Sequence, residues 1–438
     1  MKVYSFLRGG IRYTDTTVPP RDSSITAFLP GLSVIPLVQH IGSKANPVVT
    51  VGDRVSEGML IGRGQGLGSA NIHATVPGRV VRTVSWKMAE GLTNSALVIK
   101  LDGGFEKLGK HEEIFPWQSL PPFELQRIIA EYGIVEMEGS GRPVSDMLYS
   151  LRSARDPATL VVRCVFDDPW LAADYVLLRE RMEAVAEGSR IAARAGRMGR
   201  IVLVFSRGEK DLGNKLMDCM AGAELPVSLV YTRSRYPQRN RRELELVLRR
   251  FTRKEGIELG MILALGPTTL AAIHDAVKLK KPILDRYVAV GGSAIKKPQV
   301  MKVRIGTRVG EIFAECGGFV DQPRRIGSGS PLLGRTIVDL DEPVIKTSFA
   351  IFAFLSGQIG GSARTRCTGC GECRVVCPVG LDPEALYKYM NKYMNGSDNR
   401  DGRAGRAAEC HGCGCCEVVC PSRLPLSTTI IRSALQGN

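Results

Sequence analysis

Short β-branched runs dominate the first quarter of the chain. Val34-Ile35-Pro36-Leu37-Val38, Val48 to Val51, Met59-Leu60-Ile61, Arg79 to Val84 and Ala96 to Ile99 are separated by Gly and Asp, the residues of turns. This pattern predicts a β domain over residues 1–110. From about residue 121 the period changes. Phe123 to Tyr132 carries apolar residues at helical spacing and is entered through Pro121-Pro122. Gly133 to Pro143 is a glycine-bearing turn before a second helix. Leu160 to Phe166 reads as a buried strand, followed by one long helix from about Ala172 to Ala195. Further strands at Ile201 to Phe205, Val227 to Thr232 and Met261 to Leu265 alternate with helices. That alternation predicts a parallel sheet in an α/β domain over 111–280.

Strand patterns return between Pro282 and Pro323, with one helix from Val309 closed by Gly317-Gly318. A small β-grasp-like module over 281–330 fits this pattern. Residues 331–360 read as a linker with one apolar strand candidate. The closing domain, 361–438, places a helix at Leu381 to Met394 between two cysteine groups and a polar loop at Asn395 to Arg406. Apolar runs are too short to span a membrane, and the N-terminus lacks the apolar length of a signal peptide. A cytoplasmic protein is expected, with peripheral attachment to the inner face of a membrane left open.

The cysteines carry the chemistry. Cys367-Thr-Gly-Cys370-Gly-Glu-Cys373-Arg-Val-Val-Cys377-Pro378 recurs as Cys410-His-Gly-Cys413-Gly-Cys-Cys416-Glu-Val-Val-Cys420-Pro421. Both resemble the C-x2-C-x2-C-x3-C-P run of bacterial two-cluster ferredoxins, in which the fourth Cys serves the other cluster. The resemblance implies two [4Fe–4S] clusters, one on Cys367, Cys370, Cys373 and Cys420, the other on Cys377, Cys410, Cys413 and Cys416. A zinc ribbon needs two pairs rather than two quartets with trailing Cys-Pro. A disulfide framework suits a small secreted chain, which this is not. Cys415 falls outside the pattern and is expected to be a bystander. Cys164, Cys219 and Cys316 are expected in cores.

Charge changes the picture only in its sign. With 59 basic and 44 acidic residues the formal net charge is +15. Aromatics are few and no nucleic-acid module is recognisable, so nucleic acid is not an expected partner. A basic docking face for an acidic carrier of the ferredoxin or flavodoxin kind fits better. The densely basic Tyr236 to Lys254 keeps Leu and Val at helical spacing, and reads equally as a solvated helix face or as part of such a surface.

The order of modules resembles the C subunit of the Rnf electron-transport complex, and equally its soluble relatives, the cobalamin reductase of propanediol metabolism and the proline-reductase-associated electron transfer protein. Carrying phrases are Arg8-Gly9-Gly10, Ile35 to Gly42, Val51-Gly52-Asp53, Tyr236-Pro237-Gln238, Val303 to Thr307 and both cysteine runs. Val51 to Ile61 and Ile72 to Val80 resemble the barrel-sandwich hybrid of biotinyl and lipoyl domains. The intervening loop Gln65 to Ala70 holds no Lys, so the scaffold is expected without the swinging arm. His40 and His73 read as hydrogen-bonded structure rather than ligands.

The α/β part resembles the flavin- and NADH-binding subunit of respiratory complex I. That resemblance places FMN and NADH at Gly139, Gly141 and Arg142 of Glu138-Gly-Ser-Gly-Arg-Pro-Val-Ser145, and at Asp168. Here Glu136 and Glu138 stand at positions expected to be small, and Arg142 replaces an aromatic residue. Carboxylates beside a phosphate cost binding, on the order of 1 kcal/mol or more once partly desolvated, which pairing with Arg142 would offset. Two readings follow. One is an oxidoreductase subunit in which FMN, and NADH with altered contacts, feed the clusters. The other is an electron-transfer adaptor with a degenerate nucleotide site. Both imply partners in a hetero-complex: a carrier protein, and a reductase or membrane complex.

Overall fold

The structure is a computed structural model that describes residues 2–87, 93–105, 116–153, 156–356, 364–394 and 406–436. Two small sheets form the N-terminal β domain. One takes the strands Leu32–Pro36, Thr93–Leu101, Gly78–Lys87 and Arg54–Val55 in that order; the other takes Asn46–Pro47, Leu60–Arg63 and Ile72–His73. Alternate residues face inward, so Ile35, Ile61, Ile72, Val80, Leu97 and Ile99 make one core.

The central domain is a five-stranded, all-parallel sheet. Its order is Val3–Tyr4, Val227–Thr232, Arg200–Ser206, Thr159–Cys164, Ile262–Leu265. Its strands are apolar on both faces because both are covered. Leu160, Val162 and Leu203 pack with the helices Met182–Ala195 and Pro267–Lys278. Val161, Val202 and Val204 pack with Leu244, Val247, Leu248 and Phe251 of the helix Arg241–Glu255. The basic residues of that helix therefore surround a buried apolar stripe. The chain moves outward from Thr159–Cys164 through two strands, then crosses back to lay Ile262–Leu265 on the other side. The switch point lies between those two strands.

Three expectations need correction. The helix foreseen from Ala172 to Ala195 is two helices, Ala172–Glu180 and Met182–Ala195, broken at Arg181. No proline or glycine marks the break. Arg181 takes φ −130° and ψ 36°, and its guanidinium grips Asp275 at 2.6 and 2.9 Å. The stretch expected as a linker supplies two strands, Arg335–Thr336 and Ala350–Phe354, to a six-stranded sheet with Arg325–Ser328, Asp285–Gly291, Gln299–Arg304 and Ser24–Thr26. Its apolar run Ala350–Phe354 is buried there beside Asp285–Gly291. The first 26 residues do not stay in the N-terminal β domain. Val3–Tyr4 and Ser24–Thr26 are edge strands of the other two sheets.

The C-terminal domain consists of the short helices Glu372–Val376 and Cys415–Val418 and the longer Pro383–Met394 and Leu426–Gln436. Most of the polar loop expected at Asn395 to Arg406 lies outside the described residues. Among the described residues no helix is long and apolar enough to cross a membrane.

Candidate functional site

The two cysteine runs fold as a repeat. Gly369 and Gly412 have φ of +70° and +68°, Gly371 and Gly414 of +77° and +76°. These left-handed turns curl each run and start each short helix, and they suit residues without a Cβ. Three residues past each helix-end Cys the chain turns left-handed again, at Gly380 and Arg423. The turn aims the next amide back at sulfur: Leu381 N–H donates to Cys377 Sγ at 3.3 Å and Leu424 N–H to Cys420 Sγ at 3.5 Å. Gly369 N–H donates to Cys367 Sγ at 3.4 Å. Hydrogen bonds to sulfur of this kind are one of the ways a protein tunes a cluster.

The runs also interlock. Cys377 packs with Cys410, Leu381, Met390 and Ile430, whereas Cys420 packs with Cys373 and Cys416. Each trailing Cys has thus been carried toward the other run. Among the described residues no group of His, Cys, Asp or Glu is drawn together tightly enough for a single metal ion. A cubane, with a metal at each thiolate, asks for a wider set. Amide-to-sulfur donors, apolar packing around the buried Cys373, Cys377, Cys413 and Cys416, and crossed trailing cysteines fit [4Fe–4S] clusters, with Cys367 and Cys370 at the exposed side. Cys415 is fully buried against Tyr236 and Val376.

Two segments fasten this domain to the body. Gly10 N–H donates to Val376 O at 2.7 Å. At Gly9, φ +66°, a Cβ would stand 2.4 Å from the Cys377 carbonyl carbon, so the Arg8-Gly9-Gly10 phrase is a close approach of backbone to the cysteine run. On the other side, Tyr236 Oη donates to Cys413 O at 2.8 Å. His411 Nε2 lies 3.0 Å from the buried Glu243 carboxylate, which holds the imidazole's pKa above its ordinary value.

The loop bearing Tyr236 also reaches the switch point. Arg239 N–H donates to Asp167 Oδ2 at 3.0 Å and its Nη2 to Glu138 O at 2.7 Å. Open sheets of this kind take ligands here, outside the carboxyl ends of the strands. The contents of the crevice are acidic, and the carboxylates of Glu136, Glu138 and Asp174 are met by groups of the chain itself, while Nε and Nη1 of the buried Arg286 and Oδ1 of Asp167 have no hydrogen-bond partner among the described residues. Glu138 accepts from Thr269 N–H at 2.8 Å and from the Thr269 hydroxyl, on the first turn of the helix Pro267–Lys278. Glu136 accepts from Ser140 N–H and, at 2.7 Å, from Arg163 Nη2. Asp174 accepts from Thr268 Oγ1 at 2.7 Å and from the fully buried Arg286 at 3.3 Å. Burial first, then Asp174 and Glu136, push the Glu138 pKa up.

The residues expected to bind cofactor are not all in this crevice's interior. Gly139 lies over the Glu136 carboxylate, 3.3 Å from where its Cβ would be. Gly141, φ +64°, donates to Glu136 O at 3.0 Å and accepts from Ile41 N–H at 3.0 Å. Arg142 is exposed, its backbone N–H 3.3 Å from Ser140 Oγ. Asp168 is buried, capping the turn Pro169–Leu171 by accepting from Trp170 N–H at 3.0 Å. Its neighbour Asp167 is pushed up to about 7, by burial first and against the pull of Arg239. Sequence reasoning flagged Glu136 and Glu138 but missed Arg163, Thr269, Arg239 and Arg286, which satisfy or surround them. Arg163 had a signal: it is the one charge inside the apolar run Leu160 to Phe166.

His40 and His73 belong to the β domain's packing. His40 Nε2 accepts from Ala70 N–H at 3.2 Å, and burial lowers its pKa. His73 stacks on Tyr132, and burial, then Lys346, lower it to about 3.

Known family models match the chain in the order of its modules: the RnfC barrel sandwich hybrid domain at residues 5–104, the Nuo51 FMN-binding domain at 129–265, the SLBB domain at 287–336 and the 4Fe-4S dicluster domain at 363–424. The C subunit of the ion-translocating oxidoreductase complex of Rhodobacter capsulatus is 33% identical over 392 residues, covering 87% of this chain and 74% of that one. This chain belongs to the RnfC family. Another relative, the C subunit of the proton-translocating ferredoxin:NAD(+) oxidoreductase complex of Clostridium ljungdahlii, is 31% identical over 86% of this chain and 83% of that one. The C subunit of the Na(+)-translocating ferredoxin:NAD(+) oxidoreductase complex of Acetobacterium woodii is 26% identical over 83% and 82%. As an RnfC family member the chain has the expected modules: sandwich hybrid, flavoprotein-like α/β domain, SLBB module and two-cluster iron–sulfur domain. The α/β domain has the fold of an FMN-binding domain, but the donors at its switch point are already taken by Glu136 and Glu138, so the residues present do not fit a flavin phosphate.

Proposed function

We propose that this chain relays electrons between redox proteins through two [4Fe–4S] clusters, as one subunit of a larger oxidoreductase assembly. The observation that carries the reading is the crossed repeat of cysteines, with backbone N–H groups on Cys367, Cys377 and Cys420. Cys367, Cys370, Cys373 and Cys420 hold one cluster, and Cys377, Cys410, Cys413 and Cys416 the other. Each cluster, when bound, takes up and gives back one electron at a time. The chain's own work is to hold the cysteines in place, four of the eight buried among apolar residues, donate N–H groups to sulfur, and fix the cysteine domain to the body through Gly9, Gly10 and Tyr236. Names of relatives support partners in a ferredoxin- and NAD-linked complex at a membrane. The chain then works on the cytoplasmic side, held peripherally by those partners. An open concavity of about 660 Å³ lined by Arg207, Lys210, Arg233, Asp211 and Ser234 supports docking of an acidic carrier.

A second reading has FMN, reduced by NADH, in the α/β domain, with Gly139, Gly141, Arg142 and Asp168 around it. The match to the FMN-binding domain family favours it; the buried carboxylates count against it. The test of the relay is anaerobic purification with iron and sulfide assayed per chain. About eight of each, with visible absorbance bleached by dithionite, is the expected outcome. Iron near four or below after careful reconstitution would contradict the relay.

A further inference from the structure

A carboxylate buried at a switch point is hard to explain as packing alone, since an ionised group away from water is costly unless its oxygens are met. Here they are met by groups that elsewhere meet a ligand. The first turn of a helix presents free N–H groups and the positive end of the dipole, and so favours an anion. Glu138 places a carboxyl group there from within the chain, accepting from both the N–H and the hydroxyl of Thr269.

We propose that the crevice is a self-filled anion site: Glu138 stands where a ligand phosphate would on the helix Pro267–Lys278, Glu136 ties up the glycine turn, and a flavin phosphate is excluded. Donors, space and charge each support this independently. Thr269 spends both its N–H and its hydroxyl on Glu138, and Ser140 spends its N–H on Glu136. Gly266 leaves the backbone bare, and a Cβ there would stand 2.4 Å from the Glu138 carboxyl carbon. The bare backbone that would admit a ligand is covered by the Glu138 side chain itself. Counter-charges are internal as well, Arg163 on Glu136 and Arg286 on Asp174, all with side chains 13% exposed or less. Arg142, whose pairing with phosphate would offset the acids, is exposed. The inference deepens the relay reading, on which its meaning for electron flow rests, and its test reads flavin rather than iron.

The full chain, purified anaerobically with its iron counted separately, is titrated with FMN by fluorescence quenching. The native chain shows no saturation up to about 1 mM. The Glu136→Gly/Glu138→Gly double variant restores small residues and frees the donors, so it binds FMN at least ~100-fold more tightly, and in preference to riboflavin, which lacks the phosphate. Stoichiometric binding of FMN by the native chain overturns the proposal. So does a double variant that keeps its iron and its circular dichroism yet binds no FMN. Hydrogen exchange in the native chain decides the matter if the variant fails to fold. The amides of Ser140 and Thr269 are then protected without ligand and unchanged by FMN; exposed amides that FMN shields contradict the proposal.

Discussion

The cysteine domain and the switch-point crevice are neighbours joined by one loop, and they treat cofactor-binding groups in opposite ways. In the cysteine domain, backbone N–H groups converge on the sulfurs of the repeat. Leu381 and Leu424 donate to Cys377 and Cys420 from equivalent positions of the repeat. In the crevice the same kinds of donor converge on carboxylates from the chain itself. One site keeps its donors for a group brought from outside; the other has consumed them. A shared module order therefore does not carry every cofactor with it, because two side chains suffice to close a site whose fold is intact.

The comparison can be broken most sharply in the cysteine domain. Cys377→Ser removes a ligand from one cluster set, so iron should fall from about eight to about four per chain. Cys415→Ser, outside both sets, should leave iron unchanged; loss of iron there would mean the ligand sets are misassigned. In the crevice the largest effect is expected from Arg163→Met. It leaves the Glu136 carboxylate buried without its partner, at a cost of about 3–5 kcal/mol read as a lower thermal midpoint. Arg142→Ala, at an exposed position, should stay within about 0.5 kcal/mol.

Asp167→Asn tests whether the acids near the crevice are strained. A folded pKa of about 7, above the ordinary 3.8, means the folded state binds the extra proton between those values. The stability this gives is present below about pH 4 and lost as pH rises through 7. The variant should match the native chain at pH 4 and exceed it at pH 8, by up to about 4 kcal/mol. An equal gap at both pH values would remove burial as the cause. On the loop that joins the two regions a modest effect is expected from Tyr236→Phe, which loses the hydrogen bond to Cys413 O. That should cost about 1–2 kcal/mol and leave iron in place.

What could be read in advance follows the reach of each interaction. The cysteine repeat was legible because its ligands, turns and trailing prolines are local. The strands Thr159–Cys164 and Arg200–Ser206 were legible because burial on both faces makes them apolar apart from Arg163 and their end residues. Edge strands of two or three residues, Val3–Tyr4 and Ser24–Thr26, carry no periodicity and were not. The break at Arg181 was hidden because its cause, Asp275, lies 94 residues away. The crevice was half legible. Glu136 and Glu138 stood out as charges where small residues were expected. Their partners Arg163 and Thr269, and Arg286 on the neighbouring Asp174, come from two strands and a helix that only the fold brings together.

The most direct measurement is an anaerobic reduction of the cluster-loaded chain by NADH, with FMN present, followed in visible absorbance. A relay with a closed crevice predicts that NADH leaves the cluster absorbance unchanged while dithionite bleaches it. Bleaching by NADH would contradict the account, because electrons would then be entering through a site that Glu136 and Glu138 are held here to close.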